Sequence, residues 1–362
     1  MGSARMSVNV DNAKKALDSI IKKSRVHLYK PIQIAEILYH HRTNPQLNIK
    51  LSDLETYRNP SKKWRDIICM QFLGRISTSS AKFQDNLFEE NAIPPHVLKI
   101  LGNENQKSGV VEAYIYKAFE DKHLQLESAL NYCLKSNKDT FDIKEFLGQF
   151  WEQPGLKRSL DKIFEIVVYS LFEVLTTAID VKVDIYYNNE NLNILKEFSS
   201  FAEKVLNLNS KNNRKTLDAH FNRVGVTNAA DRGLDMYANF GSVVQIKHLS
   251  LDEELAENVV TSVTSDKIII VCKDSEESII NSLLTQIGWR SRIQAIITID
   301  ELVEWYEKAL KGKYSNILGE RIISTLSTEI KTEFPSVGND DFQKFKEQRD
   351  YQKMSSEYWN NN

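Results

Sequence analysis

Asp235 is followed, after nine intervening residues, by Gln245-Ile246-Lys247. Two short apolar runs flank Ala238-Asn239-Phe240-Gly241, and Asn and Gly both tolerate positive φ, so the stretch reads as a β-hairpin. Side chains alternate along a strand, which puts Gln245 and Lys247 on one face and Val244 and Ile246 on the other. A hairpin symmetric about Phe240 sets Asp235 opposite Gln245. A carboxylate, an amide oxygen and an ammonium then converge at one end of a sheet. That set can hold a divalent cation and an attacking water.

The chemistry such a set suits is hydrolysis of a phosphodiester. Extra negative charge builds on the phosphoryl oxygens, and a bound Mg²⁺ offsets it while lowering the pKa of a water. Mg²⁺ takes hard oxygen ligands and keeps several waters, so Asp235, the Gln245 side chain and the carbonyl of Ile246 are enough protein ligands. Lys247 is placed to orient or deprotonate the water, or to neutralise the developing charge. The competing reading is a solvated hairpin with Gln245 and Lys247 facing water.

The order Asp235, Gln245, Lys247 resembles the PD-(D/E)xK nuclease superfamily. Gln245 stands where a second carboxylate is usual, and Leu234 where proline precedes the first acid. Gln at that place is typical of the Mrr-like branch, in which a helical Glu upstream often completes the site. The resemblance assigns that role to Glu165, on a helix through Leu160–Leu171. The wording from Asp231 to Gly241, with Gln245-Ile246-Lys247-His248-Leu249-Ser250-Leu251, is similar to the type II restriction endonucleases of the HaeII group. That resemblance implies Mg²⁺-dependent cutting of double-stranded DNA at RGCGCY, leaving 5′-phosphates. It also implies a two-fold homodimer on a palindromic target and a cognate DNA methyltransferase acting on the same site. A modification-dependent Mrr-like nuclease, and a DNA-binding protein on a degenerate nuclease fold, are the alternatives.

The rest of the chain must position these groups. The 362 residues, 41% of them apolar, suffice for two domains with real cores. The expected class is α/β (α+β): a mixed-sheet PD-(D/E)xK core at 154–313 behind a helical DNA-recognition or dimerisation domain at 7–153. Residues 314–362 read as one helix and a polar tail, better suited to disorder or a partner contact than to a core. Met1–Met6 look like an expression scar. No apolar run is long enough for a membrane span and the start lacks an apolar signal core, so a cytoplasmic protein is expected. Cys69, Cys133 and Cys272 are widely spaced in apolar runs and read as reduced core residues.

The net charge of −2 rules out a generally basic coat, so a DNA-binding face must come from segregation of charge in the fold. Two stretches carry suitable residues. Gly74–Asn86 offers Arg75, Ser77, Ser79 and Lys82 for phosphates and base edges, or else is a Ser-rich loop capping a helix begun at Ala81. Asn207–Arg223 offers Lys211, Arg214, Lys215 and Arg223, or else is a solvated loop.

Among the helices, separate ones are expected at Val111–Glu120 and His123–Ser136, with a loop from Gly102 to Gly109. Beyond Ser159, helix and strand alternate. Ala178–Tyr187 alternates strictly, whereas Lys267–Cys272 and Ile293–Thr298 are continuous apolar runs that mark strands buried on both faces. Helices at Leu251–Val263, Glu276–Ile287 and Asp300–Leu310, the last with an acidic N-cap, imply right-handed crossovers and parallel pairing.

Overall fold

The computed structural model describes residues 2–24, 27–152, 159–224, 234–247, 265, 267–274, 292–334, 339–351 and 357–360. Contacts divide the chain into two units. One comprises Met1–Lys135, Lys144–Leu160 and Ser327–Asn362; the other comprises Ser136–Ile143 and Asp161–Leu326.

The first unit is helical: α1 (Gly2–Lys23), α2 (Tyr29–Thr43), α3 (Pro60–Leu73), α4 (Ala81–Asp85), α5 (Pro95–Asn105), α6 (Val110–Lys135) and α7 (Ile143–Glu152). Pro60 and Pro95 stand at first helical positions, where the missing N–H is not needed. Two expectations are corrected here. α5 runs through Gly102, because that position is packed: a Cβ there would sit 2.1 Å from Cδ1 of Leu51. α6 is one helix, not two. Lys122, which falls between the two helices expected, turns inward and donates to the carbonyls of Ile21 (3.0 Å) and Ser24 (3.1 Å) at the end of α1.

The C-terminal segment is also corrected, from a polar tail to part of this core. Phe342, Phe345, Tyr351 and Trp359 are buried against α2, α3 and α6 residues such as Phe72 and Tyr116. Arg349 holds the buried Glu36 with its two terminal nitrogens, Nη1 and Nη2, at 2.6 and 3.1 Å, and stacks 3.7 Å from the Tyr39 ring. Four apolar side chains spaced among charged ones were too sparse to show as a periodic face.

The second unit is built on α8 (Leu160–Ile179) and a five-stranded sheet in the order β3 (Phe221–Arg223), β4 (Met236–Ala238), β5 (Val243–Lys247), β6 (Ile268–Cys272), β7 (Ile293–Thr298). β3–β4 and β4–β5 pair antiparallel, and β5–β6 and β6–β7 pair parallel, so the sheet is mixed. Every residue of β6 is buried, as its unbroken apolar run requires. The helix Ile299–Lys311 starts from a Thr298–Glu301 capping box, so the N-cap is a hydroxyl and not the expected acid. Tyr306 on that helix donates to the Val167 carbonyl of α8 at 2.8 Å.

A second, two-stranded antiparallel sheet, β1 (Lys182–Tyr186) with β2 (Arg214–Asp218), lies between α8 and β3 in the chain. β2 was expected as an irregular basic stretch. The helices expected at Leu251–Val263 and Glu276–Ile287, the domain boundary expected between residues 153 and 154, and His248 lie outside the described residues. The three cysteines are buried and free.

Candidate active site

β4 and β5 pair with Met236 opposite Val244 and Tyr237 opposite Val243, the register of a hairpin centred on Phe240. Continuing that register puts Asp235 opposite Gln245. Gly241 takes the positive φ of the turn, +103°; Asn239 instead uses its side chain, donating to the Asp218 carbonyl (2.8 Å) and accepting from the His220 amide (2.9 Å). Those bonds fix the turn to the segment entering β3, and with it the end of the sheet.

Gln245 is 2% exposed. Its Nε2 donates to Oδ2 of Asp235 at 2.5 Å, and the amide N–H of Ile246 donates to the same oxygen at 2.7 Å. The reading of Gln245 as a solvated residue is therefore excluded. Its Oε1 is buried with no hydrogen-bond partner among the described residues. A buried, unpaired carbonyl oxygen is costly, by about 1–3 kcal/mol, unless something fills its lone pairs.

α8 supplies the other acid. Glu165 is buried, and both its oxygens are engaged: Oε2 by Nζ of Lys162 at 2.5 Å and Oε1 by Nε of Arg223 at 3.1 Å. Two turns along, Glu173 accepts the Phe221 amide N–H at 2.8 Å and meets Nδ1 of His220 at 3.0 Å. Thus two acids of α8 hold alternate residues of β3, and β3 aligns β4 beside it. Lys162 was not picked out from the sequence, although its spacing of three from Glu165 on a helix is the usual one for an ion pair.

These charges act on Asp235. Burial pushes its carboxyl up to about 6, and Glu165 adds to the rise; the Ile246 amide and the ammonium groups of Lys247 and Lys162 pull it down. Lys247, half-buried at the end of β5, makes no hydrogen bond or ion pair among the described residues. With Asp235 and Glu165 ionised, Lys162, Arg223 and Lys247 give the site a net charge of +1, suited to an incoming phosphodiester.

The other sequence candidates are dispersed. Arg223, proposed for DNA, is instead 9% exposed against Glu165. Arg214 pairs with Asp184. Lys211 is exposed and Lys215 half-buried on and before β2. In the first unit, Arg75 donates to the Thr332 carbonyl at 2.7 Å, Ser80 caps α4, Ser79 accepts from Gln84 through its carbonyl, and Ser77 and Lys82 lie on or near the surface.

A family model for the HaeII restriction endonuclease matches residues 13–351. The chain belongs to the HaeII restriction endonuclease family. It is 57% identical to the type II restriction enzyme HaeII of Haemophilus aegyptius over 346 residues, 95% of this chain and 98% of that protein. It is 56% identical to the type II restriction enzyme NgoBI of Neisseria gonorrhoeae over 348 residues, 96% of this chain and 98% of that one. No solved structure matches the chain significantly. The family reading made from the hairpin therefore holds, as does the mixed α/β class, and this HaeII-family chain is a site-specific deoxyribonuclease.

Type II restriction endonucleases generally need a divalent metal. The residues present fit one: the orphaned Oε1 of Gln245, the carboxylate of Asp235 and backbone carbonyls are hard oxygen donors. No group of three or more His, Cys, Asp or Glu side chains suited to a metal exists among the described residues. Among the described residues no helix is long and apolar enough to cross a membrane.

Proposed function

We propose that this chain cuts double-stranded DNA at RGCGCY with Mg²⁺ as its cofactor, through Asp235, Gln245 and Lys247. The observation that carries the reading is the buried, partnerless Oε1 of Gln245 beside the Asp235 carboxylate. Asp235 and Gln245 would hold the cation, with the Ile246 carbonyl as a third protein oxygen. When bound, Mg²⁺ lowers the pKa of the attacking water and offsets charge on the phosphoryl oxygens.

Lys247 holds that water and neutralises the charge that develops as it attacks phosphorus. The P–O3′ bond breaks, O3′ takes up a proton, and the water's proton leaves to solvent, giving a 3′-hydroxyl and a 5′-phosphate. Glu165 supports the site from α8 by holding Lys162 and Arg223 in place. The target name comes from the family resemblance, supported by 57% identity to HaeII over nearly the whole chain.

A palindromic target cut on both strands needs two such centres, so the acting form is a two-fold homodimer. Ser77 and Ser79, ahead of α4, and Lys82 in its first turn contact the DNA. A methyltransferase acting on the same site protects the host, and the nuclease works in the cytoplasm, where that DNA is.

The test is to incubate unmethylated plasmid with the protein and Mg²⁺, beside EDTA and Lys247→Ala controls, and to sequence the fragment ends. Discrete fragments ending at RGCGCY, lost in both controls, are expected. Cutting confined to modified plasmid would favour an Mrr-like nuclease, and DNA binding without cutting a degenerate one.

A further inference from the structure

The segment between α8 and β3 departs from the rest of the second unit in its surface. Eight of the twenty large exposed apolar side chains among the described residues fall between Ile179 and Leu206, so the apolar surface is concentrated in one stretch. Tyr186, Ile194, Phe198, Phe201, Val205 and Leu206 are all exposed, Tyr186 by 73% and Val205 by 64%. Both strands of the β1–β2 sheet alternate only between exposed and half-buried residues, so neither face of it enters a core. Exposed apolar side chains gathered in one stretch of chain mark an interaction site.

Charge narrows the occupant. Residues 180–206 carry five acids against three lysines, a net of −2, and Lys182 is already engaged by Asp180 and Asp218 at 2.6 Å each. DNA phosphates would be repelled from this stretch. Immediately after it come Lys211, Arg214 and Lys215, a net of +3 over residues 207–216; Arg214 is taken up by Asp184 of the same copy, which leaves Lys211 and Lys215 for a partner. One insertion therefore presents an acidic apolar part and a basic part side by side. In an isologous two-fold contact the acidic part of each copy meets the basic part of the other, so the surface complements itself.

We infer that residues 179–215 form the dimer interface of this nuclease, with a second copy of the chain as the occupant. Phe198, Phe201 and Val205 form its apolar centre, and Glu197 and Glu203 of one copy face Lys211 and Lys215 of the other. The inference rests on the proposed two-centre cutting of a palindrome and names the surface that brings the centres together. α8 links the two features directly: Glu165 lies near its start and Ile179 ends it, about 21 Å of helix apart. The contact at the insertion thereby sets where each centre stands relative to its partner.

The test measures mass by sedimentation equilibrium and plasmid products on one set of proteins. The unaltered chain should sediment at about twice 41.7 kDa and linearise plasmid without accumulating nicked circles. Phe198→Glu with Val205→Glu should be monomeric, with linear product falling at least tenfold and nicked circles accumulating.

Lys211→Glu with Lys215→Glu alters only surface charge and should weaken the dimer, and adding Glu197→Lys and Glu203→Lys should restore it. If the apolar variant fails to fold, this charge series decides alone. An unaltered chain that dimerises while every variant stays dimeric and cuts normally overturns the interface. An unaltered chain that is monomeric, on and off DNA, yet cuts both strands overturns the two-centre reading itself.

Discussion

The Gln245 amide and the Asp235 carboxylate meet at 2.5 Å across the β4–β5 hairpin, with the amide nitrogen donating and the amide oxygen left buried without a partner. Cation-free, the amide neutralises part of the repulsion that a second carboxylate would bring to Asp235. Cation-bound, the same side chain has an oxygen to give. Gln thus permits a stable empty site where two acids so close would raise each other's pKa.

Lys247 is expected to act on the reaction and not on the fold. Lys247→Ala should reduce the single-turnover cleavage rate by about 10³-fold, the order found when one transition-state stabiliser is removed. DNA affinity measured with Ca²⁺ should change less than about threefold and the melting temperature hardly at all, since the side chain is half-buried and adds no hydrogen bond to the described structure.

Arg223 separates an anchoring role from a DNA contact. Removing a phosphate contact lowers the salt slope of DNA binding by about 1. Arg223→Ala should leave that slope unchanged, because the guanidinium is buried against Glu165. It should instead destabilise the protein by about 1–3 kcal/mol, read by urea unfolding, by leaving Oε1 of a buried carboxylate unpaired.

The raised carboxyl of Asp235, at about 6, makes two pH predictions. Cation binding needs the carboxylate, so at subsaturating Mg²⁺ cleavage should rise with pH through about 6, and more Mg²⁺ should move that inflection lower. Stability without cation runs the other way. The folded state holds this proton more tightly than the unfolded one, so the group's contribution is full below its usual value of 3.8 and is lost as pH rises through about 6. In EDTA at pH 7.5, Asp235→Asn should melt no lower than the unaltered chain while being inactive.

The C-terminal segment should be integral to the helical unit. Arg349→Ala leaves Glu36, 2% exposed, without its bidentate partner, a loss of about 3–5 kcal/mol for a broken buried pair. Deletion from residue 339 removes Phe342 and Phe345 as well and should yield insoluble or unfolded protein, judged by circular dichroism.

Much of this site was legible because its determinants are local. A turn centred on Phe240 and alternation along Val243–Lys247 fix which side chains meet, and the apolar run of β6 forms the buried strand expected of it, whereas β7, last in the sheet order, is a strand that leaves Gln294 exposed and Ala295 and Thr298 half-buried. What was not legible depends on distant partners. Arg223 looks like any surface cation until β3 is laid against α8 and Glu165, 58 residues earlier, meets it. β2 was hidden because its Arg214-Lys215-Thr216 has no apolar alternation, its strand state coming from pairing with β1. Phe342, Phe345 and Tyr351 sit in a polar stretch whose burial is decided by Glu36 and Glu112, more than 200 residues away.

The most direct test titrates Mn²⁺, as a spectroscopic stand-in for Mg²⁺, into the DNA-free protein and reads the free ion by electron paramagnetic resonance. The unaltered chain should bind it; Gln245→Leu should weaken binding by about 10-fold or more, and Asp235→Asn should abolish it. Gln245→Glu should tighten it through the added carboxylate. Unchanged Mn²⁺ affinity in Gln245→Leu and Asp235→Asn would contradict the account, because the orphaned amide oxygen and its neighbouring carboxylate would then not be the cation's ligands.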